Sequence, residues 1–196
     1  MSSSYFKTLK RKVIEKSKSD NWKDAVKEWE IIDCDEDEEC SEICICEKEG
    51  LRYLYTIQNK FNKNILFPIG SSCIKRFERD DLREETDIYE QMFKLLHMVR
   101  DYKFIDFTSE LFSRKLLKYL YKEGAFDTKY NKYDGYEDYQ FMLKMFNTRD
   151  KESITERQHR KIRAIIINSI RPYLNNRLYG KKKRRPILFS NSELEY

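Results

Sequence analysis

The chain has 196 residues, 40% of them hydrophobic and 14% aromatic, with 37% charged and a formal net charge of +5. That much apolar and aromatic material excludes a disordered chain. No apolar run comes near the roughly 20 residues that a membrane-spanning helix needs. The opening residues, Met1 to Lys7, lack the apolar stretch of a secretory signal, so the expected location is the cytoplasm.

The first elements in the chain are helical. Phe6, Leu9 and Val13 recur at helical spacing within 4–18, with Lys7, Lys10, Arg11 and Lys12 between them. A second helical stretch, 21–27, carries Trp22, Ala25 and Val26. A short strand follows over 28–34. Behind it comes the most acidic segment of the chain, with Asp35, Glu36, Asp37, Glu38 and Glu39 in succession.

Residues 51–58 form a clearer strand, in which Leu51, Tyr53, Tyr55 and Ile57 alternate with Arg52, Leu54, Thr56 and Gln58. The turn composition of 59–64 predicts a hairpin into Ile65, Leu66 and Phe67, which Pro68 should end. Gly70 and Ser71 then open a helix, with Ser71 as the expected N-cap.

From Leu82 the pattern is helical. One stripe is Ile88, Met92, Leu95, Leu96 and Val99. Another is Phe112, Leu116, Leu117 and Leu120, stopped near Gly124, and a third runs from Tyr136 to Phe146. Thr155 and Gln158 have capping-box spacing ahead of Ile162, Ile165, Ile166 and Ile170, and Pro172 should end or kink that helix. The expected fold is α+β: N-terminal helices and a small treble-clef-like zinc-binding sheet over 1–79, a helical bundle over 80–177, and a basic tail over 178–196. No sustained heptad points to a coiled coil, so the expected state is a monomer.

The five cysteines, Cys34, Cys40, Cys44, Cys46 and Cys73, all fall in one early segment. In a reducing compartment such clustering suggests metal ligands rather than disulfides. Cys44 and Cys46, at i and i+2, can face one ion. Cys73 sits where the helix begins, and exposed N–H groups there favour a thiolate. Structural zinc takes four ligands. Cys34, at the end of the first strand, is the preferred fourth, with Cys40 and Glu49 as alternatives.

Several segments together resemble small proteins of phages and mobile elements of low-GC Gram-positive bacteria. They are Glu28-Trp29-Glu30-Ile31, Cys44-Ile45-Cys46, the strand from Leu51 to Asn59, and Pro68-Ile69-Gly70-Ser71-Ser72-Cys73-Ile74-Lys75-Arg76-Phe77. Phe112-Ser113-Arg114-Lys115-Leu116-Leu117, Asp138-Tyr139-Gln140-Phe141 and Lys144-Met145-Phe146-Asn147 extend the likeness more loosely. In that group the paired cysteines are often followed by Gly or Ser with a nearby His. Here Glu47-Lys48-Glu49-Gly50 follows, without a His. Phage proteins of this size include anti-CRISPR proteins. The resemblance therefore implies a non-enzymatic inhibitor of a Cas9-type nuclease or its guide-RNA complex.

The acidic run would then be the docking face, since such nucleases hold nucleic acid in positively charged channels. A second expectation is a zinc-containing accessory protein that binds DNA or RNA. It rests on Lys181, Lys182, Lys183, Arg184 and Arg185, on the basic first helix, and on Arg157, Arg160, Lys161 and Arg163. No Gly-rich phosphate loop and no nucleophile–His pairing points to an enzyme.

Overall fold

The computed structural model describes residues 4–101 and 107–179. They form an α+β fold with one antiparallel sheet of three strands, in the order β1-β2-β3. The basic cluster at 181–185 lies outside the described residues.

Helix α1 (Ser4–Lys16) buries Leu9 and Val13, four residues apart on one face, and turns its lysines outward. Helix α2 (Trp22–Ala25) is a single turn. The Asn21 side chain caps it by accepting from the Asp24 N–H at 3.1 Å. A 3₁₀ turn over Val26–Glu28 then delivers the chain into β1 (Trp29–Glu36).

Glu28 is the knot of this region. Its side chain is buried and accepts from the backbone N–H groups of Lys18 and Ser19, each at 2.8 Å, and from Asn59 Nδ2 at 2.6 Å. Burial alone would raise its pKa, but these donors favour the carboxylate and hold it down at about 2. Asn59 in turn accepts from Phe61 and Asn62, while Asn62 and Asn64 donate to the Lys16 carbonyl at the end of α1. One buried carboxylate thus joins the end of α1, the start of β1 and the hairpin.

Strand β2 (Tyr53–Asn59) pairs with β1 and with β3 (Ile65–Ile69), so Ile31, Ile57 and Leu66 form one core row. The β1–β2 register slips between Ile31 and Asp33. The slip reverses the alternation, so Cys34 and Glu36 are buried along with Trp29 and Ile31. Pro68 lies inside β3 rather than ending it. It is accommodated because β3 is an edge strand and the β2–β3 register is irregular between Tyr55 and Ile57.

Helix α3 (Ser71–Ile74) is capped at Gly70, not Ser71. A Cβ at Gly70 would meet Leu51 Cδ2 at 2.8 Å, so a larger residue here would require the Leu51 side chain to move. After a 3₁₀ turn over Lys75–Phe77, the long helix α4 (Asp80–Asp101) lies against the sheet. Tyr53 stacks on Phe93 at 5.5 Å, and the Tyr55 hydroxyl donates to the Thr86 carbonyl at 3.1 Å. The expected boundary between 79 and 80 falls at the start of α4, and the buried residues of sheet and helices belong to one continuous core.

Helix α5 (Arg114–Lys122) buries Leu116, Leu117 and Leu120 and is capped by Ser113. Helix α6 (Tyr136–Asn147) follows, then α7 (Glu156–Ile165) with the expected Thr155–Gln158 capping box. The helical path runs on past Pro172 through a π-wound stretch, Ile166–Ile170, into α8 (Arg171–Leu174) and a second π turn, Asn175–Tyr179. The winding widens just before Pro172, where the Arg171 N–H reaches back five residues to the Ile166 carbonyl.

Glu85 on α4 supplies a pH-dependent term. Burial pushes its carboxyl up to about 7, against the pull of Arg177. The protein then favours the protonated form. Its contribution is complete below the ordinary value of 4.5 and is lost as pH rises through 7. Glu85→Gln is expected to match the parent at about pH 4 and to exceed it at pH 8 by about 1 kcal/mol, allowing for solvent screening. Urea unfolding at the two pH values checks this, and equal curves at pH 8 would contradict it.

Candidate metal centre

Cys44 and Cys46 sit on a tight turn between β1 and β2. The Cys44 N–H donates to the Lys48 carbonyl at 2.9 Å, and the Glu47 N–H donates to the Cys44 carbonyl at 2.7 Å. Glu47 takes the left-handed conformation (φ 74°) that closes the turn. The turn is pinned to β3 by the Ile45 N–H, which donates to the Pro68 carbonyl at 2.9 Å. One residue further along from β3, the Gly70 N–H points at Cys44 Sγ from 3.4 Å. Cys73 follows as the third residue of α3.

These elements bring three sulfurs together. Cys73 Sγ lies 3.7 Å from Cys44 Sγ and 3.4 Å from Cys46 Sγ, and all three atoms lie within 4.8 Å of one another. Each residue is at least 94% buried. Thiolates at about 2.3 Å from a tetrahedral ion are separated from each other by about 3.8 Å. The spacing therefore fits a metal ion with little movement.

The electrostatics lead to the same place. Hydrogen bonding from Cys73, helped by the N–H groups of Cys46 and Gly70, brings the Cys44 thiol down to about 5, against the effect of burial. The Cys73 thiol is pushed up because its proton is committed to Cys44 and because it is buried, and burial raises Cys46 as well. The cluster accepts one negative charge readily. It accepts a second and a third only with a cation among the sulfurs. This buried trio can bind a metal.

No family model, curated protein or solved structure matches this chain.

Of the expected ligands, Cys34 does not join the trio. It pairs across the sheet with Tyr55, and its sulfur lies 3.8 Å from the Asp35 carbonyl. Burial pushes its thiol up, as for an ordinary core cysteine. Cys40 and Glu49 are exposed and also lie outside the trio.

The acidic run does not form a continuous exposed face. The Glu36 side chain is fully buried, with Arg52 Nε at 2.9 Å and His97 Nε2 at 2.6 Å. Asp37 organises the loop behind it, accepting from the Ser41 N–H and hydroxyl and from the N–H groups of Glu39 and Glu42. Asp35 is half-buried and accepts from the Glu36 N–H. Glu38 pairs with Arg100 at 3.2 Å, and Glu39 is exposed.

Glu36, Glu38 and His97 do form a second group of possible ligand atoms. The Arg52 guanidinium already supplies the cation to Glu36, so we assign this group as an ion-pair network. Its partners are 16 and 61 residues away from Glu36, and no local pattern announces them.

Proposed function

We propose that Cys44, Cys46 and Cys73 hold a structural zinc ion, and that the chain is a non-enzymatic binding protein whose sheet is built around it. The Sγ–Sγ spacing carries this reading. The order of elements supports it: a two-cysteine turn, a hairpin, then a helix start that delivers the third thiol, which is a treble-clef-like plan. Zinc there would tie residue 44 to residue 73 across the whole β2–β3 hairpin, adding its binding free energy to the stability of the folded state. A tetrahedral ion takes one further donor beyond these three.

The test is metal analysis of protein purified under reducing conditions without added zinc. One zinc per chain is expected, retained in Cys34→Ser and Cys40→Ser and lost in Cys44→Ser. A folded protein that neither carries zinc nor takes it up, with all three thiols open to alkylation, would end the proposal.

As a binding protein the chain has two candidate partners. The Cas9-inhibitor reading drew on a dense carboxylate patch, and with Glu36 buried and Asp37 folded into its loop the fully exposed part of that patch shrinks to Glu38 and Glu39. The weight therefore moves to the nucleic-acid-binding reading. Adding the protein to a Cas9-type target-cleavage assay is expected to leave cleavage unchanged at concentrations that saturate an oligonucleotide.

A further inference from the structure

Among the described residues, half of the cations in the two basic helices noted in the sequence are met by acids. On α1, Arg11 meets Glu15 at 3.6 Å and Lys12 meets Glu47 at 3.9 Å. On α7, Lys161 meets Asp138 at 3.1 Å and Arg163 meets Glu156 at 3.8 Å. Helix α5 is different. Its fully exposed residues are Arg114, Lys115, Lys118 and Lys122, all of them cations. Among the described residues only Lys115 of these four has an acidic partner, Glu84 at 3.3 Å.

This face works against the helix that carries it. Arg114 and Lys115 occupy the first turn, where the helix dipole disfavours positive charge. Arg114 with Lys118, Lys115 with Lys118, and Lys118 with Lys122 are like-charge neighbours at i,i+4 or i,i+3, each unfavourable by about 0.2–0.5 kcal/mol. Stability alone would put Asp or Glu at several of these positions.

At 3.6 residues per turn, the four cations fall within about 100° of arc, with Tyr121 about 20° beyond one border and Tyr119 about 40° beyond the other. Tyr121 stacks on Tyr139 at 4.6 Å and meets the ring of Tyr136, which is 48% exposed. On the Tyr119 side the cations line a groove of about 350 Å³ together with Glu84 and Ile88 of α4. The row from 114 to 122 is about 12 Å long, enough to meet about two or three phosphates of one strand.

We propose that the exposed face of α5, with the Tyr121/Tyr136/Tyr139 cluster beside it, is a binding surface for single-stranded nucleic acid. The cations take the phosphates, and the exposed face of Tyr136 takes a base. This rests on the nucleic-acid-binding reading above and assigns it a surface that none of the sequence clusters occupies.

The experiment is fluorescence anisotropy of a labelled 20-nucleotide oligothymidine with the full-length, zinc-loaded protein, at several salt concentrations. Lys118→Glu/Lys122→Glu is expected to weaken binding at least tenfold and to flatten the log K against log salt slope by about 1.4. Tyr136→Ala is expected to weaken it about tenfold with the slope unchanged. All three substituted positions are exposed, and circular dichroism of the variants is the check that they fold.

Parent protein that does not bind the strand overturns both this proposal and the nucleic-acid reading. Parent that binds, with Lys118→Glu/Lys122→Glu and Tyr136→Ala binding equally well and only Lys182→Glu/Arg184→Glu losing affinity, overturns the α5 surface and leaves that reading intact. Displacement of the strand by polyglutamate at equal charge would show a general anion site and overturn the assignment to nucleic acid.

Discussion

On the proposal of a structural zinc, Cys73→Ser is expected to abolish metal binding and, with it, the ordered packing of β2, β3 and α3. Structural zinc contributes on the order of 10 kcal/mol in small zinc folds, against a total stability of about 5–15 kcal/mol for a typical domain. Serine at a site only 6% exposed adds a buried hydroxyl in place of a thiolate. Near-ultraviolet circular dichroism and zinc release on titration with a chelator measure both effects. Cys40→Ser, at an exposed thiol, serves as the control and is expected to stay within about 0.5 kcal/mol of the parent. A Cys73→Ser protein with native dichroism would show that the metal, if bound, is not what holds this region.

Glu28→Ala is expected to cost about 2–4 kcal/mol, because it strands two backbone N–H groups and the Asn59 amide without their shared acceptor. Glu28→Gln keeps the shape but removes the charge and part of the accepting capacity, so it should cost about half as much. The pH dependence has a definite sign. The folded carboxyl is held below its ordinary value of 4.5, so its contribution is complete above that pH and is lost as pH falls towards 2. The parent should therefore lose part of its stability over that acid window, and Glu28→Gln should lose less. Chemical denaturation at pH 7 and pH 3 tests this. A variant that loses as much as the parent on acidification would assign the acid sensitivity to other carboxylates.

What could be read from the sequence was what depends on near neighbours. The β2–β3 hairpin, the Thr155–Gln158 capping box and the buried stripes of α4 and α5 follow from spacing over a few residues. The meeting of Cys44, Cys46 and Cys73 was legible for the same reason: two thiols on one turn and one at a helix start, joined by a hairpin. Cys34 was not legible as a core residue. Simple alternation from Trp29 and Ile31 sends it to the opposite face, and only the register slip after Ile31 brings it round beside Tyr55. Nor was the fate of Glu36, since Arg52 and His97 reach it from other elements. The exposed cations of α5 were hidden inside a hydrophobic stripe, and they emerge only when charge is counted by face rather than by run.

The order of synthesis gives the acidic segment a further role. Strand β1 carries Trp29, Ile31 and Ile32, but its partner β2 ends at Asn59, roughly 20 residues after β1 ends at Glu36. At about 5–20 residues per second, the strand waits roughly 1–4 s for a native neighbour, with both edges open. Asp33 and Asp35 within it, and Asp37, Glu38 and Glu39 directly behind it, place a block of like charge on every nascent copy. Charges inside and directly behind an apolar strand disfavour its pairing with a copy of itself, whatever else they do in the folded protein.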